Sequence, residues 1–374
     1  MKLSINKETL IDALQIITPI TDKSSSKPIL SNFLLSCGDG EKSQVEFSAT
    51  DYEISIQGKF PAQVVEGGSV CISAKMVLEV CREFLSEEVQ IESDDQLWVT
   101  FSGGSARLRL PSVDVGLYPQ MEDLDLPYKF KIAGQELKKC IDLTLFAAQT
   151  NEARKNLMGV NLSFPNGSDA KWTATDGHRL AQVENTVKVV ALNEPPEIII
   201  PRKALVEMQK VVEKIESEVD IAFDDRSLQL STDSITVTTR LIEGKFPNVD
   251  QVIPKDNDKS VTINRERMIN ALRIISLMSN EKIKPVKLSL ENNMMKVESE
   301  HVESGEAHNE LAIEYQGEAM NIGFNARYLL DVLAVVTHVE NVKLELKGPL
   351  NPCLIRIRDD TSFLSVVMPL RLEW

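Results

Sequence analysis

Asp176 and His178, two apart in the segment ATDGHRL (174–180), are the residue types from which a general acid/base pair is made. Such a pair needs a group to activate, and no serine or cysteine nucleophile is signposted beside it, so a structural or binding role suits the segment better. His301 and His308 lie in the acidic stretch ESEHVESGEAHNE without a supporting cysteine, which is the pattern of a solvated loop or strand face and not of a metal site. Neither a GxxxxGK[ST] loop nor a GxGxxG turn occurs. No catalytic residue, metal or cofactor is expected, and the chain does not read as an enzyme.

The charges carry more information. A formal net charge of −15 on 374 residues argues against non-specific adhesion to nucleic acid, because phosphate binding needs a basic surface. The charge is unevenly spread, however, and the segments with helical periodicity are together slightly positive, so the acidic surplus lies elsewhere. Residues 201–215 give the sharpest case: Leu205, Met208, Val212 and Ile215 gather on one helical face. Lys203, Lys210 and Lys214 fall within about 40° of one another on the opposite face.

These residues are positioned by elements that recur. LIDALQIITPIT (10–21), LKKCIDLTLFAA (137–148) and MINALRIISLMS (268–279) are similar apolar helical patterns. CISAKMVLEVCREF (71–84), IIIPRKALVEMQKVV (198–212) and NIGFNARYLLDVLAVV (321–336) form a second matching set. Offsets of about 125 residues are far longer than the roughly 20–50-residue periods of solenoids and propellers, so the chain reads as a triplicated domain. Alternating sequence with Gly, Asp or Asn breaks follows each first helix, as in QVEFSATDYEISIQG (44–58) and KLSLENNMMKVESE (287–300), and predicts hairpins.

The fold class is therefore α+β: three repeated domains, each with two helices packed on antiparallel sheet. The Pro-marked turns YPQMEDLDLPYKF (118–130) and FPNVDQVIPKDNDKS (246–260) set the boundaries at 1–125, 126–257 and 258–374. Five cysteines, an odd set without C-x-x-C spacing, read as reduced core thiols. No apolar run approaches the roughly 18 residues of a membrane span and the N-terminal residues lack a signal-peptide h-region, so a soluble, cytoplasmic protein is expected.

ATDGHRLA (174–181), PRK (201–203), EGKFPNVDQVIP (243–254), SNEK (279–282), GFNARYLLDVL (323–333) and VVMPLRL (366–372) closely resemble the bacterial sliding clamps, the beta subunits of DNA polymerase III. The resemblance runs the full length, in order, through all three copies. It implies the DNA clamp fold, a homodimeric ring that encircles duplex DNA without regard to sequence, and a groove that binds linear motifs of the replicative polymerase, the clamp loader and repair proteins. The alternative left open is a protein-only scaffold that uses the groove without encircling DNA.

By the same resemblance the groove would be formed by Leu157, Thr175, Gly177, His178, Arg179, Leu180, Pro247, Val252, Asn325, Tyr328, Val366, Val367, Met368, Pro369, Leu370 and Arg371. Apolar pockets would capture the hydrophobic anchors of an extended peptide while polar groups fix its register. Arg202 and Lys203 match the family's DNA-contacting basic pair, and Lys75 opens the equivalent helix of the first copy. Lys23, Lys27, Arg154 and Lys155 are phosphate contacts by position, with Lys210 and Lys214 on the basic helix face. Leu108 and Leu110 from one chain, with Leu277 and Met278 from the other, match the family's dimer interface. Three departures stand out: Gln251 where a basic residue is common, Ile283 where an aromatic is frequent, and the added tail residues Glu373 and Trp374.

Overall fold

A computed structural model describes the chain except for residues 22–26, 39–42, 122–123, 278–283, 302–304, 358–359 and 372–374. Lys23, Met278, Ile283 and the Glu373–Trp374 tail thus lie outside the described residues. Six α-helices are described: α1 (Lys7–Ile17), α2 (Ala74–Glu83), α3 (Gly134–Leu145), α4 (Arg202–Val212), α5 (Arg265–Ser276) and α6 (Ala326–Val335). Each copy holds two of them, and each first helix is preceded by a short strand: Lys2–Asn6, Tyr128–Ala133 or Lys259–Asn264.

Three of the helices start where the sequence offers an asparagine cap. Asn6 Oδ1 accepts from Glu8 N and Thr9 N before α1, Asn264 Oδ1 accepts from Arg267 N before α5, and Asn325 Oδ1 accepts from Arg327 N before α6. An asparagine at this position satisfies amide groups that have no partner within the helix, at a gain of about 1 kcal/mol. Buried apolar stripes then fix each helix to its sheet: Leu10, Leu14 and Ile17 on α1, Met268, Leu272 and Ile275 on α5. Helix α4 ends at Val212, so Lys214 lies in the turn beyond it and not on the helix face anticipated for residues 201–215.

Two compact units are formed. One comprises Met1–Leu137, Lys188–Pro195 and Lys203–Leu241, the other Lys138–Val187, Pro196–Arg202 and Ile242–Trp374. The first unit holds a five-stranded sheet that ends on strand Ala106–Pro111, and a nine-stranded sheet. In the nine-stranded sheet, strand Ile235–Arg240 of the second copy pairs with Ile54–Pro61 of the first, with Thr236 opposite Gln57. The second unit holds an eight-stranded sheet in which Arg179–Thr186 pairs with Asp360–Val367, with Leu180 opposite Val366, and a four-stranded sheet that ends on Gly305–Ala312.

Sheets therefore run from one copy into the next, and the middle copy gives one sheet to each unit. A strand edge left open would expose unpaired amide and carbonyl groups, and pairing across copies closes it. All five cysteines are buried and outside any disulfide, and burial alone pushes the Cys71 thiol up to about 12. Histidine 308 is exposed on the hairpin Met294–His301/Gly305–Ala312, opposite Glu298, whereas the His301 side chain is outside the described ones.

Candidate functional site

The hairpin between strands Asp169–Thr175 and Arg179–Thr186 is built by its own polar side chains. Thr175 Oγ1 accepts from Gly177 N at 3.1 Å and donates to Arg179 O at 2.6 Å. Asp176 Oδ1 accepts from His178 N and Arg179 N, at 2.9 and 3.1 Å. Gly177 takes φ +90, a backbone region that side chains with a Cβ rarely enter. Asp176 thus closes a turn. The acid/base reading of Asp176 and His178 loses its carboxylate to that task.

The first copy repeats the turn. Thr50 Oγ1 donates to Ile54 O, Asp51 Oδ1 accepts from Glu53 N and Ile54 N, and Tyr52 at φ +74 occupies the place of Gly177. In both turns the second carboxylate oxygen is free to hold a cation. Asp51 Oδ2 takes Lys203, and Asp176 Oδ2 takes Arg179 Nε at 3.1 Å.

Arg179 is the centre of the second turn's surroundings. Its Nη1 donates to Asp331 Oδ2 of α6 at 2.5 Å, and its guanidinium lies over the rings of Tyr328 (4.8 Å) and Phe146 (5.5 Å). The imidazole of His178 stacks on Tyr328 at 6.1 Å with the planes 17° apart. Burial pushes the Tyr328 phenol up from its ordinary value, and the neighbouring Asp176 carboxylate pushes it the same way. The phenol is therefore a neutral hydrogen-bonding group beside a fixed cation. Sequence reasoning passed over Asp331 and Phe146. The signal for Asp331 was its place one turn after Tyr328 on a helix, which puts both on one face.

Apolar candidates divide into buried and exposed. Leu180, Leu354, Leu364 and Val366 form one cluster, with Val249 and Ile253 packed against it. Leu157, Ile199 and Phe246 form another, closed by Ile242 and again Val249. Segment 242–253 is thus a strap that covers both clusters, and Leu157, Leu180, Val366 and Val367 lie beneath the surface. Pro247, Val252, Met368 and His178 are exposed. The chain's last described residues are pinned beside the same turn: Met368 N donates to His178 O and Leu370 N to Gly323 O. Leu370 and Arg371, with Ile322, Pro349 and Leu350, line an open cleft of about 180 Å³; Pro369 is half-buried between the two pinned residues.

The basic candidates are mostly occupied. Lys27 Nζ lies 4.5 Å above the Tyr52 ring, Lys75 is paired with Glu79 at 3.5 Å, and Lys210 with Glu207 at 2.9 Å. Arg202 is half-buried and donates inward to Leu145 O at 2.5 Å. Burial, with Arg179 nearby, pulls its guanidinium below the usual range, and an arginine stays charged in a protein all the same. Arg154 and Lys155 are exposed on the short helical segment Glu152–Leu157, and Lys214 is exposed. Leu108 is half-buried and Leu110 buried on the edge strand Ala106–Pro111, while Leu277, just past α5, is 79% exposed.

Three family models tile the chain: the N-terminal domain of the DNA polymerase III beta subunit over residues 1–122, its central domain over 131–248, and its C-terminal domain over 250–371. The chain belongs to the DNA polymerase III beta subunit family. A beta sliding clamp of Pseudomonas aeruginosa is 30% identical, and one of Caulobacter vibrioides 32% identical, each over the full length of both chains. The crystal structure of the Pseudomonas aeruginosa subunit superposes with a TM-score of 0.92 over the whole of both chains. A sliding clamp from Bartonella birtlesii bound to griselimycin, 28% identical, gives 0.94 with the same coverage. The fold is accordingly the three-domain α+β fold of the sliding clamps. Among the described residues no helix is long and apolar enough to cross a membrane.

Proposed function

We propose that the chain is a DNA polymerase processivity factor. Two copies close a ring around duplex DNA in the cytoplasm, and a groove around His178, Arg179, Tyr328 and the C-terminal segment tethers the replicative polymerase, the clamp loader and repair proteins by their linear motifs. It performs no catalysis. The domains responsible are residues 1–125, 126–257 and 258–374.

The observation that carries this reading is the full-length, three-domain match to the beta subunit family. The site fits a peptide reader: a cation fixed by two carboxylates, a stacked His–Tyr pair and exposed apolar groups at Val252 and Met368 offer one polar register point and apolar seats. Ring closure is supported by two open sheet edges of opposite charge. Strand Ala106–Pro111 exposes Arg107, and strand Gly305–Ala312 exposes Glu306 and Glu310. A two-fold axis would join the basic edge of each chain to the acidic edge of the other.

Retention on DNA tests the reading. After loading onto nicked circular and linear plasmids, the protein is expected to stay on circles and leave linear molecules through their ends. Equal loss from both would exclude encirclement, while leaving a motif-binding scaffold.

A further inference from the structure

On helices α2, α3 and α4, four lysines are each held by a carboxylate. Lys75 Nζ lies 3.5 Å from Glu79, Lys138 Nζ 2.7 Å from Asp142 and Lys210 Nζ 2.9 Å from Glu207, while Lys203 pairs with Asp51. Helix stability does not favour the order of residues in two of them. Pairs four apart stabilise a helix best with the acid first, and both Lys75–Glu79 and Lys138–Asp142 run the other way.

Two of the acids are not surface groups either: the side chains of Asp51 and Glu207 are 5% and 8% exposed. A carboxylate is withdrawn from water only at a cost, which a fixed partner must offset. Asp51 is immobilised by the amides of Glu53 and Ile54, and both oxygens of Glu207 lie 2.9 Å from Lys210 Nζ. These are rigid countercharges placed beneath lysines whose own side chains are 49% and 48% exposed.

We propose that Asp51, Glu79 and Glu207 damp the attraction of α2 and α4 for DNA. Each acid keeps part of its lysine's charge from the phosphates, so that the ring holds DNA by topology and slides with little friction. The proposal rests on the encircling reading. A lysine that fully neutralises a phosphate releases a counterion and adds about −0.9 to the slope of log K against log salt on duplex DNA. A lysine shared with a fixed carboxylate adds less. The acids are positioning residues: they act through the lysines and need not touch DNA.

The test uses full-length Glu79→Gln and Glu207→Gln, with Asp233→Asn as a control that removes the same charge from an exposed turn. Binding to a short linear duplex is followed across a salt series, and diffusion of loaded rings is tracked on stretched DNA. Each helix variant is expected to steepen the slope by up to about 0.9, bind more tightly at low salt and slide more slowly than the control. Adding Lys210→Ala to Glu207→Gln should abolish that variant's gain. Glu79 is on the surface, so its variant carries the test if Glu207→Gln fails to fold. Slopes and diffusion equal to those of Asp233→Asn overturn the proposal. If wild type is retained on circles, that result sinks damping alone; if wild type is not retained, encirclement and damping fall together.

Discussion

Arg179 and Asp331 lie far apart in the chain, yet Nη1 of the first is 2.5 Å from Oδ2 of the second. The Arg179 side chain is only 10% exposed and also serves Asp176, so one cation ties the second copy's hairpin to helix α6 of the third. Removing it takes a shared cation from two carboxylates, leaving Asp176 the amides of its turn and Asp331 only Arg327 Nε at 4.0 Å. Arg179→Ala is expected to destabilise the fold by about 3 kcal/mol, the lower end of what breaking a buried pair costs, since Asp331 retains some solvent. Arg179→Lys keeps the charge without the fork that serves both acids, and should fall between. Urea melts would show this as a lower midpoint at unchanged slope. In a double-mutant cycle, Asp331→Asn should cost less in the Arg179→Ala background than alone.

The turn that presents Arg179 depends on Gly177. At φ +90 a side chain is strained wherever it points, and a Cβ here would meet Arg154 Nη1 at 3.2 Å. Gly177→Ala should therefore cost about 1–2 kcal/mol and weaken binding of a motif peptide, because the turn relaxes only by moving His178 and Arg179. Calorimetric titration with the peptide checks the second effect. Unchanged affinity would show that the peptide does not read this turn.

The repeat, the helix positions and the hairpins were legible in the sequence because each is a local period. Leu10, Leu14 and Ile17 declare α1 by spacing alone, and the breaks at Asp51 and Asp176 declare turns. What local periods cannot encode is pairing between distant strands. Nothing in ITVTTR says that Thr236 will face Gln57, and nothing in RLAQV says that Leu180 will face Val366. Hence the sheets that cross from copy to copy went unseen, as did Lys203 finding Asp51. The groove candidates came from resemblance, and the burial of Leu157, Leu180 and Val366 in clusters packed against segment 242–253 became visible only with the strap in place.

Two thiols should set an alkaline limit. Burial pushes Cys71 and Cys81 from 9.0 up to about 12, in Cys81 against a small opposing pull from Lys7. A folded-state value above the unfolded one means that the folded state keeps its proton longer. The associated stability is full below pH 9.0 and is lost as pH rises towards about 12. Urea midpoints should fall through that window, and fall less in Cys71→Ala once its own packing loss at neutral pH is subtracted. Thiol reagents at pH 8 should label neither residue until denaturant is added.

The proposed dimer can be tested at Leu277. At 79% exposed on the single chain, this large apolar side chain has little cover among the described residues. Burying a leucine contributes about 1.5–3 kcal/mol. A two-fold ring has two such junctions, so Leu277→Ala would weaken closure by roughly twice the difference between leucine and alanine at one junction. Combined with Met278→Ala, the loss should move the dimer constant by several orders of magnitude, each 1.4 kcal/mol being about tenfold. Sedimentation at micromolar concentration is expected to show monomers. The melt of each chain should barely change, because Leu277 contributes little to its own core. Persistence of the dimer would remove Leu277 and Met278 from the interface and direct attention to the charged edges at Arg107, Glu306 and Glu310, where reversing a single sign would then be the decisive substitution.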